Sequence, residues 1–221
     1  MKYLLILPAF CLLSFISVAQ RNFYHLSAGL GGGITQNQGD LNSPEAKSLL
    51  TGSVDYYFSP YINTGIELQF GKLYGQETKS YYRFYQNHYK SALLITKVHM
   101  GQFITSRRIP VGNKAHLMNV FKGIYAGTGI GFIANHQKGI YREEQNRTTG
   151  GSNKNNDVII PFTFGIDNSA SNSRFITGIG YQAHFAMNDQ IDGYYGSENR
   201  GDFYSTLVVS LKMKFGPLGI F

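Results

Sequence analysis

Charge is scarce in this chain of 221 residues: Asp, Glu, Lys and Arg together make up 15%, against roughly 25% in an average globular protein. Cysteine is scarcer still. The single one, Cys11, lies in the leader described below, so a processed chain holds no thiol, which excludes disulfides and thiolate metal sites. The six histidines are scattered, and none forms an i, i+4 pair with a nearby acid on a helix, so no metal centre and no cofactor are expected. No linker-like shift of composition divides the chain, which points to one domain.

The N-terminus reads as an export signal. Lys2 precedes an apolar run from Tyr3 to Ile16, and Ser17-Val18-Ala19 places small residues where a signal peptidase cleaves. The run is shorter than the about 18 residues a membrane helix requires. Phe10 stands before Cys11, where lipid attachment needs a small residue. The expected organisation is a signal peptide over 1–19 and one domain over 20–221, beginning at Gln20.

What the chain has in quantity is glycine (26), tyrosine (16) and phenylalanine (16). These residues are arranged with period two. Between Phe203 and Phe215, the residues Phe203, Ser205, Leu207, Val209, Leu211, Met213 and Phe215 share one, largely apolar face, and Tyr204, Thr206, Val208, Ser210, Lys212 and Lys214 share the other, mostly polar one. That run exceeds the about 9–11 residues with which a tilted strand crosses a bilayer. In lipid its backbone must pair on both sides, which requires a closed sheet.

The same alternation recurs over Tyr24 to Thr35, Leu50 to Phe58, Ile62 to Gly71, Tyr89 to Phe103, Ile124 to Phe132, Val158 to Asp167 and Phe175 to Phe185. The first run begins a dinucleotide-loop match at Gly29-Leu30-Gly31, but Ile34 occupies its last glycine position and no helix pattern follows. Inward glycines instead leave room in a narrow lumen. Pro161 predicts a bulge or a frayed rim in the sixth run. Gly75 to His88 and Asn135 to Asp157 read as long polar loops, the second the longest. The basic segment Ser106 to His116 has no assigned structure.

Eight runs of this kind predict an all-β fold, an eight-stranded antiparallel up-and-down transmembrane β-barrel with both termini in the periplasm. A lipocalin-like barrel would bury apolar side chains inside, whereas here Gly, Thr, Asp, Glu and Lys share the inward face. The leader, the Gly123 to Gly131 run (Gly-Ile-Tyr-Ala-Gly-Thr-Gly-Ile-Gly) and the final strand ending at Phe215 resemble the small outer-membrane β-barrel domain family of porin-like proteins. The resemblance implies a Gram-negative outer membrane. It also implies that a terminal aromatic, Phe215 or Phe221, is read by the barrel-assembly machinery.

Two groups of residues are candidates for function. Asp55, Glu67 and Lys97 fall on the inward face, and pairing the third and fourth strands about their loop sets Glu67 nearly opposite Lys97. These charges are expected to pair and plug the barrel. Tyr81, Tyr82, Arg83, Phe84, Tyr85 and Lys90 combine aromatic area with positive charge, as a surface for an anionic extracellular ligand would; the same residues also suit an aromatic girdle or an extended wall. The net charge of +7 favours anionic partners such as lipopolysaccharide and outer-membrane lipids, not nucleic acid, since the basic residues are few. His25 with Ser27, or His184 with Asp189, raises the possibility of a hydrolase like the lipid A deacylases of this architecture, but spacing alone makes no triad and no enzyme is expected. The expected role is structural, adhesive or surface-binding through extracellular loops, with a narrow pore as the alternative.

Overall fold

The computed structural model describes residues 22–37, 43–77, 83–104, 113–142, 154–169, 173–187 and 203–220. They form eight long strands: β1 (Asn22–Asn37), β2 (Lys47–Ser59), β3 (Ile62–Glu77), β4 (Arg83–His99), β5 (Ile124–Arg142), β6 (Lys154–Asn168), β7 (Phe175–Ala186) and β8 (Phe203–Ile220). Each strand pairs antiparallel with its neighbours in sequence. β8 returns to β1 over almost its whole length, from Asn22↔Ile220 to Asn37↔Tyr204. The sheet therefore closes and leaves no edge, the arrangement that satisfies every strand within lipid.

Alternation decides the two surfaces. Leu30, Leu50, Phe58, Ile66, Phe132, Phe164, Ile179 and Val209 are exposed on the outer wall. Their chain neighbours Gly31, Thr51, Tyr57, Glu67, Ile133, Thr163, Gly180 and Val208 are buried inside. An outer wall this apolar has hydrocarbon as its solvent. The strands run further than the alternation indicated. β3 and β4 stay paired as far as Glu77↔Arg83, so the expected Gly75 to His88 loop shrinks to residues 78–82. β5 and β6 absorb most of the expected Asn135 to Asp157 loop and leave 143–153. At its other end β4 stops at His99, not at Phe103.

Pro161 produces no bulge. The β5–β6 ladder lapses there and resumes in the same register, with Thr128↔Phe162 on one side and Gly131↔Ile159 on the other. Proline cannot donate to that ladder, and the Thr128 hydroxyl donates to the Pro161 carbonyl at 3.0 Å. Register shifts fall elsewhere: between Tyr57 and Ser59, between Phe84 and Gln86, and near the chain end, where the β1–β8 register shifts between Tyr24 and Leu26 beside Gly216 at φ 87°. That conformation favours glycine. The shift changes the phase of the strand, so that Leu218 and Ile220 are exposed outward after Phe215, and Phe215 is not the last paired residue. Phe221 lies outside the described residues, as do 1–21.

The connection between β4 and β5 carries a 3₁₀ turn at Met100–Gln102 and a helix, α1 (Asn113–Gly123). Residues 113–116 of the basic segment left unassigned by sequence open this helix, at the end of the barrel where β1 starts and β8 finishes; residues 106–112 lie outside the described residues. α1 packs against β6, and at Gly123 the backbone meets the Asp167 carbonyl so closely that a Cβ would not fit.

Candidate functional site

The lumen is layered along the barrel. Towards the end holding the termini it is charged. Lys212 Nζ donates to Asp55 Oδ2 at 2.7 Å, and both side chains are 4% exposed. Ser27 Oγ donates to the same oxygen at 3.2 Å. β1 lies between the two strands, and Gly29 is the residue over which the lysine stem passes; a Cβ there would fall on Lys212 Cγ. Close by, His99 Nε2 meets Asp167 Oδ2 at 3.4 Å, and its Nδ1 lies 3.1 Å from the Tyr61 carbonyl.

The middle layer is an amide network. Gln69 and Gln182 both donate to Glu67 Oε1, at 2.8 and 2.9 Å, and Gln69 also donates to Gln182 Oε1 at 2.7 Å. Ser91 Oγ closes on Gln69 Oε1 at 3.3 Å. Above it the lumen turns apolar: Leu73, Tyr89, Leu93, Ile133, Ile159 and Tyr204 are at most 1% exposed and form one packed cluster. Tyr204 is sandwiched there, its ring 5.4 Å from Tyr89 and stacked on His184 at 4.3 Å.

Asp55, Glu67 and Lys97 therefore all face the lumen, but the expected opposition of Glu67 and Lys97 does not hold. Glu67 is opposite Leu93 and Lys97 is opposite Asn63. β3 and β4 pair about residue 80, from Ile62↔Val98 to Glu77↔Arg83, whereas the expected Gly75 to His88 loop centres about 81–82, and moving the centre of an antiparallel pair moves each partner by twice as much. Lys97 places its ammonium over the Tyr125 ring, 5.1 Å from the centroid, and makes no ion pair among the described residues. The acid it was meant to join is held by amides, and Asp55 has Lys212.

Sequence reasoning put Lys212 on the polar face of the final strand but had no means of naming its partner. It missed Gln69, Gln182, His99 and Asp167 as a set, although their inward phase was visible in the alternation. Of the aromatic patch, Tyr81 and Tyr82 lie outside the described residues. Arg83, Phe84 and Tyr85 are in the paired backbone of β4, and Lys90 is exposed on the outer wall between Phe70 and Ala134. His25 and Ser27 do not meet: His25 Nδ1 lies 2.9 Å from the Tyr57 carbonyl and its ring stacks on Tyr56, while Ser27 serves Asp55. Asp189 lies outside the described residues.

A closed antiparallel barrel with an apolar outer wall around a layered polar and apolar interior settles the architecture. This is the fold of the small outer-membrane β-barrels. No family model matches the chain, and no curated protein matches it. Solved structures do. The chain is similar to Neisserial surface protein A at 8% identity, over 88% of this chain and 99% of that one, with a TM-score of 0.43. It is also similar to Ail, the attachment invasion locus protein of Yersinia pestis in complex with the heparin analogue sucrose octasulfate, at 10% identity over 90% and 100%, TM-score 0.42. The outer membrane protein OprG from Pseudomonas aeruginosa matches at 11% identity over 88% and 98%, TM-score 0.39.

Proposed function

We propose that this outer-membrane barrel has a sealed lumen and acts at its outer surface, in a structural, adhesive or surface-binding role. The carrying observation is the packed layer of Leu73, Tyr89, Leu93, Ile133, Ile159 and Tyr204 across the lumen. A solute path needs a continuous polar bore, and side chains at most 1% exposed leave almost no water-accessible surface at this layer. In this reading the chain is exported through a cleaved signal peptide over 1–19. It is folded by the barrel-assembly machinery through its terminal aromatics, and it presents the 38–46, 78–82, 143–153 and 188–202 connections outside the cell.

The test is single-channel recording on the folded protein in planar bilayers. A sealed barrel gives a flat baseline in symmetric salt. Discrete, reproducible conductance steps from the unaltered protein would overturn the reading in favour of a narrow pore. Mass spectrometry of lipid A from cells making the protein addresses the enzymatic alternative, for which an unchanged lipid A profile is expected.

A further inference from the structure

The outer wall is not uniformly apolar. Near the loop end, Lys72 is opposite His88, His88 is opposite His136, and His136 is opposite Lys154. Four adjacent strands thus bring two lysines and two histidines into one row. At strand spacings of about 4.8 Å the row spans roughly 14 Å. Lys72 and Lys154 are exposed, and both histidines are partly so. Lys90 is one outward position further along β4 from His88 and extends the patch towards the belt.

Immediately beside this row the wall is hydrocarbon-seeking, with Leu50, Phe70 and Phe132 exposed. The row, with Leu50 and Phe70 of the belt, lines a concavity of about 1090 Å³ against the exposed face of these strands, and none of the residues lining it is Asp or Glu. Scattered lysines at a membrane rim merely carry their ammonium groups up to water. A contiguous row of lysines and histidines that borders an apolar hollow does more: it offers charge and N–H donors to a phosphate and apolar surface to the chain attached to it.

We propose that this face is a binding site for a phosphate-bearing lipid of the surrounding leaflet. The Lys72, His88, His136 and Lys154 row, with Lys90, holds the head-group phosphate, and the hollow over Leu50 and Phe70 receives an acyl chain. A free anion would use only the row. The lipid is favoured because the cations sit at the edge of the belt and the hollow continues into it. The site lies outside the lumen, so it stands whether or not the barrel conducts.

The experiment uses the folded full chain in vesicles of phosphatidylcholine, probed by electron spin resonance with spin-labelled phosphatidylglycerol and spin-labelled phosphatidylcholine. The protein is expected to immobilise the anionic label preferentially. The preference should fall about fivefold for each lysine removed in Lys72→Gln and Lys154→Gln and should vanish in the variant with both changes. Both positions are exposed, so folding should survive; heat-dependent gel mobility checks it. Lys122→Gln, on α1 at the other end, is expected to keep the preference. No preference in the unaltered protein, or full preference in the double variant, would overturn the proposal. Displacement of the anionic label by millimolar inorganic phosphate would also overturn it, since that would make the row a site for free anions.

Discussion

Lys212 reaches across a whole strand to Asp55, passing over Gly29 of β1 to place Nζ 2.7 Å from the carboxylate inside the lumen. The contact ties the last strand to the second and spans the seam where β8 closes on β1. Removing one partner leaves a buried charge unpaired, which costs about 3–5 kcal/mol. Lys212→Met and Asp55→Asn should each destabilise the folded barrel by that order in guanidinium titrations in vesicles. The double variant should be less harmful than the sum. Strict additivity would show that the two charges are solvated separately.

Glu67 and Lys97 should behave differently. Gln69 and Gln182 donate to Glu67, and Lys97 lies on Tyr125. In the double-mutant cycle of Glu67→Gln with Lys97→Met, the coupling energy is expected to be below about 1 kcal/mol, well short of that between Asp55 and Lys212. Coupling of equal size in the two cycles would mean that the lumenal charges rearrange in the membrane.

The apolar layer makes a further prediction. Tyr204 is stacked on His184 and packs with a tilted ring against Tyr89, so truncating the pair Tyr89→Ala and Tyr204→Ala removes two large side chains of the seal. Planar-bilayer recordings should then show conductance that the unaltered protein lacks, together with a loss of stability of several kcal/mol from the two aromatic truncations. A double variant that folds and stays electrically silent would place the seal elsewhere in the lumen.

Gly216 is the fourth test. Its φ of 87° is disfavoured for a side chain with a branched Cβ, by about 1–2 kcal/mol. Gly216→Val is therefore expected to weaken the β1–β8 closure beyond Leu26 and to slow folding into vesicles, measured by the gel shift over time. Gly32→Val is the comparison: it lies in the same strand pair at negative φ, where an added Cβ meets nothing closer than 3.9 Å. Equal effects at the two positions would remove the conformational explanation.

Much of this molecule is written in the local order of its residues. A period of two along the chain is enough to fix that Leu207, Val209 and Leu211 face lipid while Thr206 and Lys212 face inward, because successive side chains of a strand point to opposite sides whatever the strand pairs with. Strand number, the two surfaces and closure followed from that and from the demands of lipid on the backbone. Register did not, because alternation is indifferent to which residue stands opposite which. The stagger of eight strands decides that Asp55 meets Lys212, that Glu67 meets glutamines, and that Lys72, His88, His136 and Lys154 form one row. Polar segments such as Asn135 to Arg142 gave no apolar face to read, yet they remain strand because pairing with a neighbour satisfies their backbone. α1 is likewise fixed by its seat against β6, a contact between segments that are far apart in the chain.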